Sequence, residues 1–288
     1  MQQKKNVFPH LIEFYTATLL ISTSGPLGRY INLPPPLTIF WRTVLAAIFL
    51  YIFCRWKKYS LIITNRRDFG KIILAGILFG THWVTYFYAL QLSNVAIGML
   101  SIYTYPVITS FLEPLILKTR FKLYHLGLGL LVLLGIYLLV PDFSFENKYT
   151  KAVAFGVFSA FCYALRNIMM KPQVAKYNGS SLMFYQILTI SILLSPMLFK
   201  HGSSGFLEQW KPLVVLALFT TSIGHTLFLM SFRRFSITTA SIMNSAQPVF
   251  GIIIGMLFLK EYPSLLTVFG GILILAAVII ENIVSLKD

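Results

Sequence analysis

Deep inside its long apolar runs this chain carries side chains that donate, accept and stack. His82 and Tyr86 stand four residues apart, Tyr103 and Tyr105 flank Thr104 just ahead of Pro106, and Tyr163 stands four before Asn167. His225 lies in a later run, and Asn244 and Gln247 precede Pro248. Imidazole, phenol and amide groups in such runs are costly against lipid and normally face a protein interior or a wet cavity. Their chemistry is reversible recognition. Aromatic rings stack on the apolar part of a solute, while Asn244, Gln247 and His82 fix its orientation. Depth supports a shared site: a helix rising 1.5 Å per residue reaches the middle of a ~30 Å hydrocarbon core after about 10 residues. That count lands on His82, on Tyr103 and Tyr105, and on Asn244 and Gln247, with Tyr86, Tyr163, Asn167 and His225 somewhat further along. Ser241, Asn244, Ser245 and Pro248 follow the spacing of one helix face, as do Ser159, Tyr163, Arg166 and Met170. Plainer uses exist: Asn244 and Gln247 as bridges between helices worth about 1 kcal/mol, His82 as a core histidine bonded to a neighbouring carbonyl, and Tyr103 and Tyr105 as packing.

Two cations and an acid also lie within apolar runs. Arg42 sits about 12 Å into its run, within reach of an interface or of a carbonyl in the bundle. Arg166 lies about 24 Å into its own, where a long stem can snorkel to the near surface. Glu113 is close to the end of its run, so it reads either as a coupling site or as an interfacial charge among basic loops, as does Glu13. Pro106 and Pro248 remove one helical hydrogen bond each and are candidate hinges.

Other chemistries find little footing. Gly202-Ser203-Ser204-Gly205 beside His201 resembles a serine motif only superficially, with no strand-turn-helix context. No Cys/His spacing suits a metal and no glycine loop suits a phosphate, so neither metal nor cofactor is expected. A channel needs a ring of equivalent polar groups, which is not evident. Cys54 and Cys162 are too few for a disulfide framework.

The elements that position these groups are membrane spans. Hydrophobic residues make up 57% of the chain and charged residues 11%, against roughly 25% charged in a soluble domain. Ten apolar segments are long enough to cross: 10–30, 35–54, 71–91, 94–117, 122–140, 151–171, 179–199, 211–231, 236–259 and 263–284. Lys4 and Lys5 precede a first segment without a cleavage site, which reads as a helix rather than a leader. The stretch 88–107 recurs 142 positions later as 230–249, and the register continues, pairing Lys118 with Lys260 and Gly129 with Gly271. The expected fold is therefore all-α, a polytopic membrane protein of ten transmembrane helices in two inverted five-helix repeats, 1–145 and 146–288. Sixteen of the 24 Lys and Arg fall on the side of the amino terminus and six on the other, which places both termini in the cytoplasm. The net charge of +15 thus reads as a topology signal and not as a nucleic-acid surface. Gly76-x-x-x-Gly80 and Gly251-x-x-x-Gly255 permit close helix contact, within one copy or in a homodimer, and the chain reads as monomer or homodimer.

The chain resembles the EamA family of the drug/metabolite transporter superfamily, ten-helix carriers. The resemblance spans nearly all 288 residues. It rests on Phe40-Trp41-Arg42, Tyr88-Ala89-Leu90, Tyr105-Pro106-Val107, Gln247-Pro248-Val249 and Phe258-Leu259-Lys260-Glu261. At the matching place of the first repeat, Leu117-Lys118-Thr119 lacks the acidic residue. The resemblance implies a multi-pass carrier of the bacterial inner membrane, with a small-molecule substrate and the lipid bilayer as its partners. It also implies a cavity bounded by the first, third, fourth, sixth, eighth and ninth helices. Many such carriers export amino acids or similar metabolites, and some import nucleotide-like ones.

Overall fold

The computed structural model describes residues 8–118, 123–140, 144, 146–202, 205–234, 240 and 244–285. Lys4, Lys5, Ser203, Ser204 and Ser241, named above, lie outside the described residues. Every regular element among the described residues is helical. In chain order these are α1 (Phe8–Ser22), α2 (Ser24–Tyr30), α3 (Pro35–Trp56), α4 (Arg66–Leu92), α5 (Val95–Ile102), α6 (Tyr105–Leu117) and α7 (Tyr124–Leu139). The second half holds α8 (Lys148–Lys176), α9 (Gly179–Leu194), α10 (Met197–His201), α11 (Phe206–Val215), a π-helical stretch π1 (Leu216–His225), α12 (Thr226–Ser231), α13 (Ala246–Leu259) and α14 (Leu265–Ser285). Six stretches are long and apolar enough to cross a membrane, and α7, α13 and α14 are shorter apolar helices.

Local chemistry starts and stops these helices. Asn65, Asn94, Asn147 and Asn178 each accept a backbone N–H of the first turn that follows, which satisfies a donor the helix leaves open. Prolines open α3, where a missing N–H costs little. Lys118 and Lys260 end α6 and α13, each in the left-handed region at φ 56°. Several expected spans are interrupted. The first is divided at Thr23, the fourth at Tyr103-Thr104 and the seventh at Ser195-Pro196.

Two sets of contacts define opposite ends of the bundle. At one end Lys176 pairs with Asp68 at 3.0 Å, Ser181 donates to the carbonyl of Ser60, and Arg233 donates to the carbonyl of Tyr177. At the other, Arg29 pairs with Glu261 at 2.7 Å and Gln91 donates to the carbonyl of Leu33. The first end, rich in Lys and Arg, is termed the basic end below. The polarity is reversed relative to a water-soluble domain: Leu130, Leu133 and Tyr137 are more than half exposed, while Arg42 and Arg166 are 0% exposed. Lipid imposes that arrangement, since it solvates apolar side chains and not charges.

The glycine pairs serve packing inside one chain. A Cβ at Gly76 would lie 2.9 Å from Thr189 Cβ and 3.1 Å from Gln186 Cα, so α4 and α9 touch at backbone distance. At Gly255 a Cβ would meet the side chain of Val95 of α5 at 3.1 Å. Gly76→Val therefore forces α4 off α9 and costs about 1–3 kcal/mol, as overpacking does. A thermal unfolding scan in detergent reads it, and an unchanged midpoint would remove this contact from the account.

Candidate functional site

Residues from both halves of the chain line a small cavity of about 20 Å³. That is room for about one water. His82, Trp83 and Tyr86 of α4 form one wall, Tyr103, Tyr105 and Ile102 a second, and Tyr163 a third. Ile21 and Ser24 from the α1–α2 break, His225 from the end of π1 and Gln247 of α13 complete it. Seven of the residues singled out by type and depth are thus lining residues. Asn244 adjoins them: its amide donates to Gln247 Oε1 at 2.9 Å, and its carbonyl accepts from the Tyr103 hydroxyl. That last bond joins the interrupted span of the first half to its counterpart in the second.

The rings are ordered by stacking. His82 lies 4.4 Å from Tyr163 at 17° between planes, and 6.2 Å from Tyr86 at 10°. The Ser159 hydroxyl donates to the His82 carbonyl at 2.7 Å, so its oxygen must accept from Nδ1 of the same histidine at 2.9 Å. The carbonyl of Ser159 lies 3.2 Å from Nδ1 and can only accept. The proton therefore resides on Nδ1, and in the neutral ring Nε2 remains an acceptor. The Tyr86 hydroxyl and Nδ1 of His225 have no protein partner.

Behind this wall lie the two arginines. Arg42 donates from Nε to Thr221 Oγ1 at 2.6 Å and from Nη1 to Ser24 Oγ at 3.4 Å, while Nη2 has no partner. Its guanidinium lies 3.8 Å from the centre of the Trp83 ring. Arg166 donates from Nε to Gln186 Oε1 at 2.8 Å and from Nη1 to Asn167 Oδ1 at 3.0 Å, and lies 4.3 Å over Phe79. Phe79 and Trp83 are 4.0 Å apart at 39°, so each cation lies over one ring of a single aromatic pair. The snorkelling expected of Arg166 does not occur. Because α8 runs on to Lys176, this residue lies about 15 Å from the helix end, too far for the stem to span. Asn167 turns to Arg166 and does not line the cavity.

The remaining candidates stand apart. Glu113 is half-buried near the end of α6, facing the charge of Lys171. Pro106 and Pro248 are not kinks inside continuous helices. Each falls in the first turn of a helix, directly after the turn residues Thr104 and Ser245, where the missing N–H breaks little.

Different contacts lie on the two sides of the cavity. Toward the basic end Phe228 stacks 6.4 Å from Tyr163 and lies 5.9 Å from Phe14. Phe14 in turn lines a second cavity of about 190 Å³ with Glu13, Arg233 and Arg234. Toward the other end, Glu261 accepts from Arg29 Nε and from the backbone N–H of Val95 at 2.9 Å, and Arg29 also donates to the carbonyl of Gln91 at 3.2 Å. One carboxylate of the second half thus ties α2 to the start of α5.

Several of these parts were not singled out from sequence. Phe79, four residues ahead of Trp83, was a legible signal for the aromatic pair. Thr221 was not, because π1 displaces it: in the wider turn its hydroxyl reaches back five residues to the Leu216 carbonyl at 2.9 Å and meets Arg42.

Comparison with known proteins gives one answer. The sequence model of the EamA-like transporter family matches residues 11–140 and again 150–283. The pseudopaline exporter CntI of Pseudomonas aeruginosa is 24% identical over 249 residues, 86% of each chain. The uncharacterized inner membrane transporter YicL of Salmonella typhimurium is 23% identical over 96% of this chain and 95% of its own. A solved crystal structure 17% identical in sequence superposes with a TM-score of 0.70, covering 97% of this chain and 98% of the other.

Proposed function

The chain belongs to the EamA-like transporter family, a membrane transporter and not an enzyme, and on that premise we propose that it exports a small amphipathic metabolite, an amino acid or a close relative, by alternating access about the central cavity. One observation carries the reading: a cavity rich in rings and hydrogen-bonding groups, lined from both halves of the chain. On this reading the aromatic packing of Phe228 closes it toward one end and the Arg29–Glu261 pair toward the other. At about 20 Å³ it holds no metabolite as it stands. Its walls must part to admit one, and the two closures break at different interactions, so one can open while the other holds.

The spans behind this reading are ten, in two inverted five-helix repeats. Support comes from the double family match, from the 142-residue register and from the shared left-handed cap at Lys118 and Lys260. The basic end faces the cytoplasm of a bacterial cell and carries both termini. Export is favoured by the exporter among the relatives. Rocking of the halves takes place at the breaks ahead of Pro106 and Pro248. At Pro106 the proline stops the short helices α5 and α6 from fusing into one.

Saturable counterflow of a labelled amino-acid mixture in proteoliposomes is the expected result, with Pro106→Ala and Pro248→Ala slowing exchange more than they weaken binding. Unsaturated ionic current in place of counterflow would contradict the carrier. Normal exchange in both proline variants would remove the hinges.

A further inference from the structure

The cavity is flanked by two guanidinium groups and, among the described residues, by no carboxylate. Arg42 and Arg166 are both 0% exposed, and every partner of either is neutral: hydroxyls for Arg42, an amide pair and a thioether sulfur for Arg166. Among the described residues the one buried carboxylate is Asp68, 4% exposed, and it is engaged at the basic end by Lys176 and Tyr177. Two full positive charges thus stand in low dielectric without a counter-charge. A cation so placed interacts strongly with any anion that reaches it, because little water screens the pair.

The two are not equivalent. Arg166 has bonding or contact partners at Nε, Nη1 and Nη2. Arg42 keeps Nη2 open. Beside it, Ser24 and Trp83 are cavity wall, and the wall's Tyr86 hydroxyl is also without a partner. A carboxylate accepts from two donors at once, which suits a guanidinium edge and a phenol.

We infer that the cargo bears a carboxylate, which binds at the Arg42 side of the cavity and supplies the counter-charge the protein lacks. This rests on the carrier reading and assigns recognition of the substrate's acid group to one side chain. Arg42 selects acids, and Arg166, beyond the aromatic pair, raises the positive potential of the same site. Within that class the rings opposite accept an apolar or aromatic remainder.

The test uses purified full-length protein in detergent and matched probes: benzoate with benzamide, glutarate with glutaramide, and N-acetylphenylalanine with its amide, at equal ionic strength. Thermal shift reads binding to the native state. At least one acid is expected to bind about tenfold tighter than its amide, as a charge-assisted pair exceeds a neutral one. Arg42→Gln should erase the difference, and Arg42→Lys should keep part of it. Thr221→Asp provides a second route should Arg42→Gln fold poorly. It sets a carboxylate against the guanidinium, raises the melting temperature without ligand and removes the preference for acids. Acids that shift wild type no more than their amides, or a preference that survives in both Arg42→Gln and Thr221→Asp, would overturn the inference. Counterflow separates the two ideas. An acid that binds and is not exchanged contradicts the carrier alone, whereas exchange indifferent to the acid group contradicts the carboxylate alone.

Discussion

Gln186→Leu lowers the stability of the folded protein by about 3 kcal/mol, the lower end of what leaving a buried charge without its partner costs. Gln186 Oε1 is the acceptor for Arg166 Nε at 2.8 Å, and both residues are 0% exposed. Leucine fills much of the same space and offers no lone pair. Nothing else on α9 replaces it, since Met183 Sδ is a weak acceptor already 3.7 Å from Nη2. The amide also holds its own place, donating to the Leu182 carbonyl at 3.0 Å. Adding Arg166→Met should recover most of the loss, because an apolar side chain of similar length needs no acceptor. The measurement is the unfolding midpoint of wild type, single and double variants in one detergent. A single variant as stable as wild type would mean that this cage does not hold the charge.

Glu261→Gln shifts the resting population about tenfold toward the state open at the Arg29 end. The ion pair is partly exposed, with side chains 33% and 22% accessible, so on its own it is worth about 1 kcal/mol or less. The same carboxylate also caps α5 through Val95 N–H, and losing its charge weakens both contacts together. Their sum approaches the 1.4 kcal/mol that corresponds to a factor of ten. Folding stability should change little, because every other seal is intact. The readout is the rate at which a reagent reaches the cavity from that end, measured against the rate from the basic end. Equal rates before and after the substitution would show that Glu261 is no latch.

Depth along a helix is written in the sequence, and for that reason the cavity's rings were legible. Apolar runs fix where a span begins, and a count of ten residues finds the middle, which is how His82, Tyr103 and Gln247 were found together. Which way a side chain points sideways is a property of neighbouring helices and is not in the count. Asn167 has the right depth and faces Arg166, away from the cavity. Arg166 was misplaced because the run ends at Lys171 in hydropathy, while the helix itself continues through polar residues to Lys176. The breaks ahead of Pro106 and Pro248 were signalled by proline, but their form was not, since proline marks a first turn as readily as a kink. The π turn has no compositional mark at all, and with it Thr221 and its bond to Arg42 stayed hidden. The tie between Arg29 and Glu261 spans 232 positions, and nothing local announces it.

Alternating access at the cavity is tested most directly with one reporter, Ser24→Cys, in a chain whose buried Cys54 and Cys162 are replaced by serine. In sealed proteoliposomes of known orientation, a membrane-impermeant maleimide is applied to one side at a time. The account predicts slow labelling of this reporter alone, fast labelling from the Arg29 side only after Glu261→Gln, and fast labelling from the basic side only after Phe228→Ala. Fast labelling from both sides in the unaltered background, or from neither side in any variant, would contradict it.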